Sequence, residues 1–124
     1  MPSKGTRKPD RLQKRSDFLR LQNGRKWVSP TVIVQVEKGE KTSIRVGFTA
    51  TKKLGGATVR NRVKRRMRAA ARAALADVPG VWDLVLIGRA ETATCPYQSL
   101  LKDLKWCLKR LEVTGHEKPA DTPA

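Results

Sequence analysis

The sequence predicts an α+β fold in which a small sheet is covered by helices on one side. Residues 31–36 and 42–51 alternate in polarity, as half-buried strands do. A third run, Trp82-Asp83-Leu84-Val85-Leu86-Ile87-Gly88, is nearly continuous apolar sequence and reads as a buried strand. From Val59 and again from Pro96, apolar residues recur every three or four positions, the period of a helix lying on a core.

Residues 1–10 form a basic, turn-rich arm expected to be flexible, residues 11–112 a single domain, and residues 113–124, with Gly115, Pro119 and Pro123, a disordered tail. Ser16 is placed to cap a short helix with Asp17 in its first turn and Asn23-Gly24 at its end. Within it, Phe18 is either a core aromatic or a platform for base stacking. In the first strand Val32, Val34 and Val36 share one side and Thr31, Ile33 and Gln35 the other. Lys38-Gly39-Glu40 supplies a turn that would make this strand and the next a hairpin. In the second strand Ile44, Val46, Phe48 and Ala50 alternate with Ser43, Arg45, Gly47, Thr49 and Thr51. The mixed face is expected to be open. Gly47 would leave backbone accessible there and Arg45 would supply charge, which suits an extended strand of RNA; an ordinary wet face is the plainer alternative.

Gly55-Gly56 permits a tight entry into a long helix with Thr58 as its N-cap, ending near Asp77 before Pro79-Gly80. Val59, Val63, Met67, Ala70, Ala74 and Val78 make a narrow apolar stripe on it. The strand at 82–88 follows that helix after a short loop, an arrangement that allows parallel pairing with an earlier strand. Pro96 suits a first helical position, and Tyr97, Leu100, Leu101, Leu104, Cys107, Leu108 and Leu111 line the face of a last helix, with Trp106 at the rim.

Charge narrows the function. The 124 residues carry a formal +16 and a pI near 10.8, which implies a polyanionic partner. Nine lysines or arginines and no acid lie between Lys52 and Arg72. Arg60, Lys64, Arg68 and Arg72 form one helical row with Asn61 and Arg65 beside it, and Arg62 and Arg66 occupy the opposite flank. Like charges at this spacing repel by about 0.2–0.5 kcal/mol per pair. Without a bound polyanion this face destabilises the helix.

A membrane is excluded as partner, since no apolar run approaches the roughly 18 residues needed to span and the basic helix lacks a broad apolar face. The N-terminal stretch has no apolar core of a secretory signal, and Cys95 and Cys107 lack metal-ligand or redox spacing, which suits reduced thiols in the cytoplasm. The eleven acids are scattered, the single histidine, His116, is in the tail, and no phosphate loop, zinc set or nucleophile–base pair is present. No residue is assigned a catalytic or metal-binding role, so another molecule must supply any catalytic centre.

The segment from Lys52 through Arg60-Asn61-Arg62 to Arg68 resembles the signature of the protein subunit of bacterial ribonuclease P. The resemblance extends from about Arg11 to Leu111 through Arg11-Leu12, Asp17-Phe18, Arg45-Val46-Gly47, the strand at 82–88 with Arg89, and the leucine-rich last helix. It implies a two-layer α-β sandwich of order αβββαβα with a left-handed crossover between parallel strands. It implies too that a catalytic RNA with Mg2+, held mainly by RNA, removes the 5′ leader of precursor tRNA while the protein grips the RNA subunit and the leader. No obligate protein partner is expected. On this resemblance Lys52, Lys53, Arg60, Asn61, Arg62, Lys64, Arg65 and Arg68 bind RNA, and Phe18, Gln35, Arg45 and Thr49 line the leader cleft. Gln22 and Gln35 stand where some relatives carry aromatics, so stacking there would be weaker and leader contacts would lean on hydrogen bonds and charge. Two rival readings follow from the residues alone. A structural rRNA-binding protein of ribosomal type would use the same basic surface, whereas a groove-binding DNA regulator is poorly served by a helix with one amide, Asn61, to read bases.

Overall fold

A computed structural model describes residues 10–12, 14–39, 44–76, 78 and 81–113. The elements are β1 (Asp10–Arg11), α1 (Arg15–Gln22), β2 (Arg25–Val28), β3 (Val32–Lys38), β4 (Arg45–Thr49), α2 (Ala57–Leu75), β5 (Trp82–Gly88) and α3 (Tyr97–Arg110). Apart from the two-residue β1, this is the order αβββαβα, in a mixed α+β fold. The expected flexible arm at 1–9 and tail from 114 lie outside the described residues. Val113, expected in the tail, is instead buried, and its N–H donates to the Leu108 carbonyl at 2.8 Å. Glu112 takes a positive φ of 65° to make that helix-ending turn.

The sheet order is β1-β4-β5-β3-β2. β5 runs parallel to β4 and antiparallel to β3, with Val46 opposite Leu84 and Val34 opposite Leu86. The expected hairpin between β3 and β4 is therefore not formed, because the more apolar β5 takes the central place between them. Glu40 and residues 41–43 lie outside the described residues. β2, absent from the periodicity reading, pairs with β3 as the far edge strand.

Val32, Val34, Val36, Val46, Leu84 and Leu86 face α2 and α3 and join Val63, Met67, Leu100 and Leu104 in the main core. Burying a side chain of this size contributes about 1.5–3 kcal/mol, which holds α2 down against the repulsion among its own cations. The α2 stripe continues through Ala70, Ala71 and Leu75, with Ala74 half-buried; Val78 is buried beyond the helix end. At Gly88 an added Cβ would run into Val63 Cγ1, so the glycine sets how closely α2 approaches the sheet.

The other face of the sheet is not wholly open. Leu12, Leu21 and Val85 form a second core with Phe18 and Ile87, so α1 covers part of the face expected to be bare. Three expected helix starts shift. Lys14 rather than Ser16 precedes α1, Gly56 rather than Thr58 precedes α2, and Pro96 stands just before α3 rather than in it. α2 ends at Leu75, and Asp77 lies outside the described residues.

Candidate nucleic-acid interface

α2 presents the cationic surface. Asn61, Arg62, Arg65, Arg68 and Arg72 are exposed, while Arg60 and Lys64 are half-buried. Among the described residues no ion pair involves α2; the four pairs found join Arg20 and Arg45 to Asp17 and Asp83. The repulsion expected along α2 is therefore not relieved by acids of the described chain. Three of its arginines do have local roles. Arg60 Nε donates to the Gly55 carbonyl at 3.3 Å, and the Arg68 guanidinium lies 5.7 Å from the centre of the Phe48 ring. Arg66 donates to the carbonyls of Ala93 (3.2 Å) and Cys95, which ties α2 to the turn before α3 and withdraws this cation from the exposed set.

Lys52 and Lys53, placed at a strand end by the resemblance, sit exposed on a 3-10 turn, Lys52–Leu54, three residues beyond β4. Gly55 closes that turn with φ +138°, a conformation that a side chain would strain, and so delivers the chain into α2.

The four predicted cleft residues all lie on the α1 side of the sheet. Register puts Arg45 opposite Asp83, Gly47 opposite Val85 and Thr49 opposite Ile87, with Gln35 on the far side of Val85. Phe18 lies over Gly47, where an added Cβ would stand 2.8 Å from its Cε2. Gly47 therefore does not leave backbone accessible, as expected from sequence; it is buried and makes room for the ring. Gln35 is buried as well, and Phe18 and Thr49 are half-buried.

Arg45 also differs from its expected role. Its Nε and Nη2 donate to Asp83 at 3.0 and 2.7 Å and its Nη1 to Asp17 at 3.4 Å. Arg20 reaches the same Asp83 carboxylate, whose side chain has no solvent exposure. The Arg45 charge thus fastens α1 to the sheet instead of standing open to a ligand. Asp83 was the available signal, since one carboxylate in an apolar run must find a cation when it is buried.

What remains open on this side is a cross-sheet row of Thr49, Ile87, Ile33 and Val28, the first three half-buried and Val28 exposed. Ile33, Ile87 and Val28 were not among the predicted cleft residues. Ile33 alternates with Gln35, so strand periodicity could have placed it on the same face. Together α1, this row and Lys52-Lys53 beyond the Thr49 end outline an open strip of surface, the candidate channel.

These features define a small basic α+β protein with an exposed cationic helix and a partly apolar strip of sheet beside α1. The family described as Ribonuclease P matches residues 6–112. The chain belongs to that family. It is 50% identical over 106 residues to the ribonuclease P protein component of Ruegeria pomeroyi, covering 81% of this chain and 84% of that one. The corresponding protein of Paramagnetospirillum magneticum is 43% identical over 121 residues, covering 92% and 91%. Among solved structures, the RNase P protein of Staphylococcus aureus superposes with a TM-score of 0.74 at 26% identity, over 86% of this chain and 99% of that one. The RNase P protein of Thermotoga maritima gives 0.71 at 28%, over 82% and 96%. Nothing in these likenesses favours the ribosomal alternative. No helix among the described residues is long and apolar enough to cross a membrane.

Proposed function

We propose that this chain is the RNA-binding subunit of a ribonuclease P that removes the 5′ leader of precursor tRNA, with catalysis residing in the RNA subunit. The observation that carries it is the α2 face, where Asn61, Arg62, Arg65 and Arg68 are exposed and no described carboxylate pairs with them. Family membership supplies the class of RNA. In this reading α2 and Lys52-Lys53 hold phosphates of the RNA subunit, and the channel beside α1 takes the single-stranded leader.

The chain acts by binding. Cations lower the repulsion between leader and RNA subunit, and the channel restrains the leader so that the scissile bond is presented in one position. Among the described residues no three His, Cys, Asp or Glu side chains gather where they could hold a metal ion, and Mg2+ in this proposal belongs with the RNA. The cytoplasm, where precursor tRNA is made, is the proposed compartment.

Precursor tRNA is incubated with the chain alone, with the catalytic RNA alone at low magnesium, and with both. The chain alone should leave the leader in place, and both together should outpace the RNA. Equal rates with and without protein would refute the assignment.

A further inference from the structure

The β2 edge and α3 carry a surface that neither the α2 face nor the channel uses. Trp106 is 46% exposed and meets Trp27 edge to face, with ring centres 5.6 Å apart and planes at 73°. The Arg110 guanidinium covers the Trp27 ring at 4.8 Å from its centre. Lys102, Lys105 and Lys109 are exposed and share with Trp106 the side of α3 turned away from buried Leu100, Leu104, Cys107 and Leu108. Asp103 does not neutralise them from within the row, because its carboxylate accepts from Thr31 Oγ1 at 2.8 Å, back toward the sheet.

We propose that this surface is a second RNA-binding site, in which an unpaired base of the RNA held by α2 stacks on Trp106 while Lys102, Lys105 and Lys109 take the flanking phosphates. Aromatic platforms interleaved with cations suit single-stranded RNA because every base offers a π-face and every linkage a charge. Trp27 meets the Trp106 ring from one side, and Arg110 in turn covers Trp27. Charge decides between occupants. A second copy of a chain with formal charge +16 would bring cations against cations, and an apolar protein patch would leave three lysines unanswered. Position decides which RNA: α2 and α3 pack on the same face of the sheet, opposite α1 and the channel, with Trp106 on the β2 flank of α3, so the segment stacked there is one that has crossed α3 from the α2 face. The site rests on the RNA-binding role of α2 proposed above.

The test uses the full chain with Trp82→Phe, so that the remaining tryptophans, Trp27 and Trp106, both report from this patch. A labelled ten-nucleotide oligoadenylate should quench their emission as it binds. Trp106→Ala should weaken its binding roughly 5- to 150-fold, and Trp106→Phe should retain most of the affinity while losing the part of the quenching that comes from Trp106. The affinity of the catalytic RNA should fall with the alanine variant in the same direction. Lack of quenching in the Trp82→Phe protein, or unchanged binding by a folded Trp106→Ala variant, overturns the site. If Trp106→Ala unfolds, the quenching and the phenylalanine variant still decide. Concentration-dependent dimerisation abolished by Trp106→Phe would replace RNA with a second copy as occupant, and binding of acidic peptide in preference to oligoadenylate would replace it with protein. Arg62→Gln/Arg65→Gln/Arg68→Gln separates the two proposals. If that variant loses the catalytic RNA and Trp106→Ala does not, only the second site fails; if neither loses it, the RNA-binding role of α2 fails as well.

Discussion

Replacing Asp83 by Asn removes the fully buried negative charge that Arg45 and Arg20 share, while keeping the side chain's volume. Asp83 has no solvent exposure, and the Arg45 side chain is only 11% exposed, so neither is well compensated by water when its partner is lost. Breaking a buried pair of this kind costs about 3–5 kcal/mol. Arg20 is 29% exposed and can turn toward solvent, and Asp17 remains near both arginines, which puts the expected loss at the lower end, about 3 kcal/mol. Against a total stability of about 5–15 kcal/mol for a domain, that is a large fraction. In urea unfolding, at a slope of about 1.5 kcal/mol/M, the midpoint should fall by about 2 M. A cycle with Arg45→Met isolates the pair, and its coupling energy should exceed about 1.5 kcal/mol. Because this cluster fastens α1 over the sheet, the variant should also bind leader-bearing precursor tRNA more weakly under conditions where it is fully folded. A stability loss below about 1 kcal/mol, or a coupling near zero, would show that the guanidinium groups are solvated without Asp83 and that something else fixes α1.

Three further outcomes follow from particular contacts. Replacing Arg62, Arg65 and Arg68 together by Gln should lower the log–log salt slope for binding the catalytic RNA by about 0.7–0.9 per lost phosphate contact, measured by filter binding across a salt series. An unchanged slope would mean those side chains face something other than phosphate. Gly47→Ala should cost about 1–3 kcal/mol in thermal or urea unfolding, because the new Cβ displaces the Phe18 ring, and it should weaken leader binding more than binding of the RNA subunit; wild-type stability would contradict the packing of Phe18 on Gly47. Burial raises the Cys107 thiol pKa above its ordinary value, opposed by a hydrogen bond with Ser29 and reinforced by Asp103. The unfolded thiol therefore ionises first, so this contribution to stability is complete below about pH 8.5 and declines as pH climbs toward the folded value. Alkylation of Cys107 should be slow in the native protein and fast in urea, with half-buried Cys95 reacting sooner.

The helices and central strands were legible because their periodicity is local. Val63, Met67 and Ala70 announce α2 at three- and four-residue spacing, and the run at 82–88 announces β5 by apolar density alone. The cation band was legible for the same reason, since it lies in one continuous segment. Long-range choices were not. Residues 31–36, a turn and 42–51 look like a hairpin until β5, some 40 residues on, competes for the place between them. Arg25-Lys26-Trp27-Val28 hides as a strand because its charges and nearby Pro30 mask the alternation of an edge strand, and only the family order implied it. Arg45 read as an open cation because its partners stand 28 and 38 positions away. Residue type suggested the site; which cations are already paired could be seen only once the sheet was assembled.

The central claim is that unpaired cations on α2 hold RNA for a ribozyme, and leader removal at low magnesium tests it most directly. The rate is measured with the catalytic RNA plus either the native chain or the Arg62→Gln/Arg65→Gln/Arg68→Gln chain, over a range of protein concentrations. The native chain should accelerate cleavage at low concentration, and the variant should need much more protein to reach the same rate. Equal acceleration by both at every concentration would contradict the account.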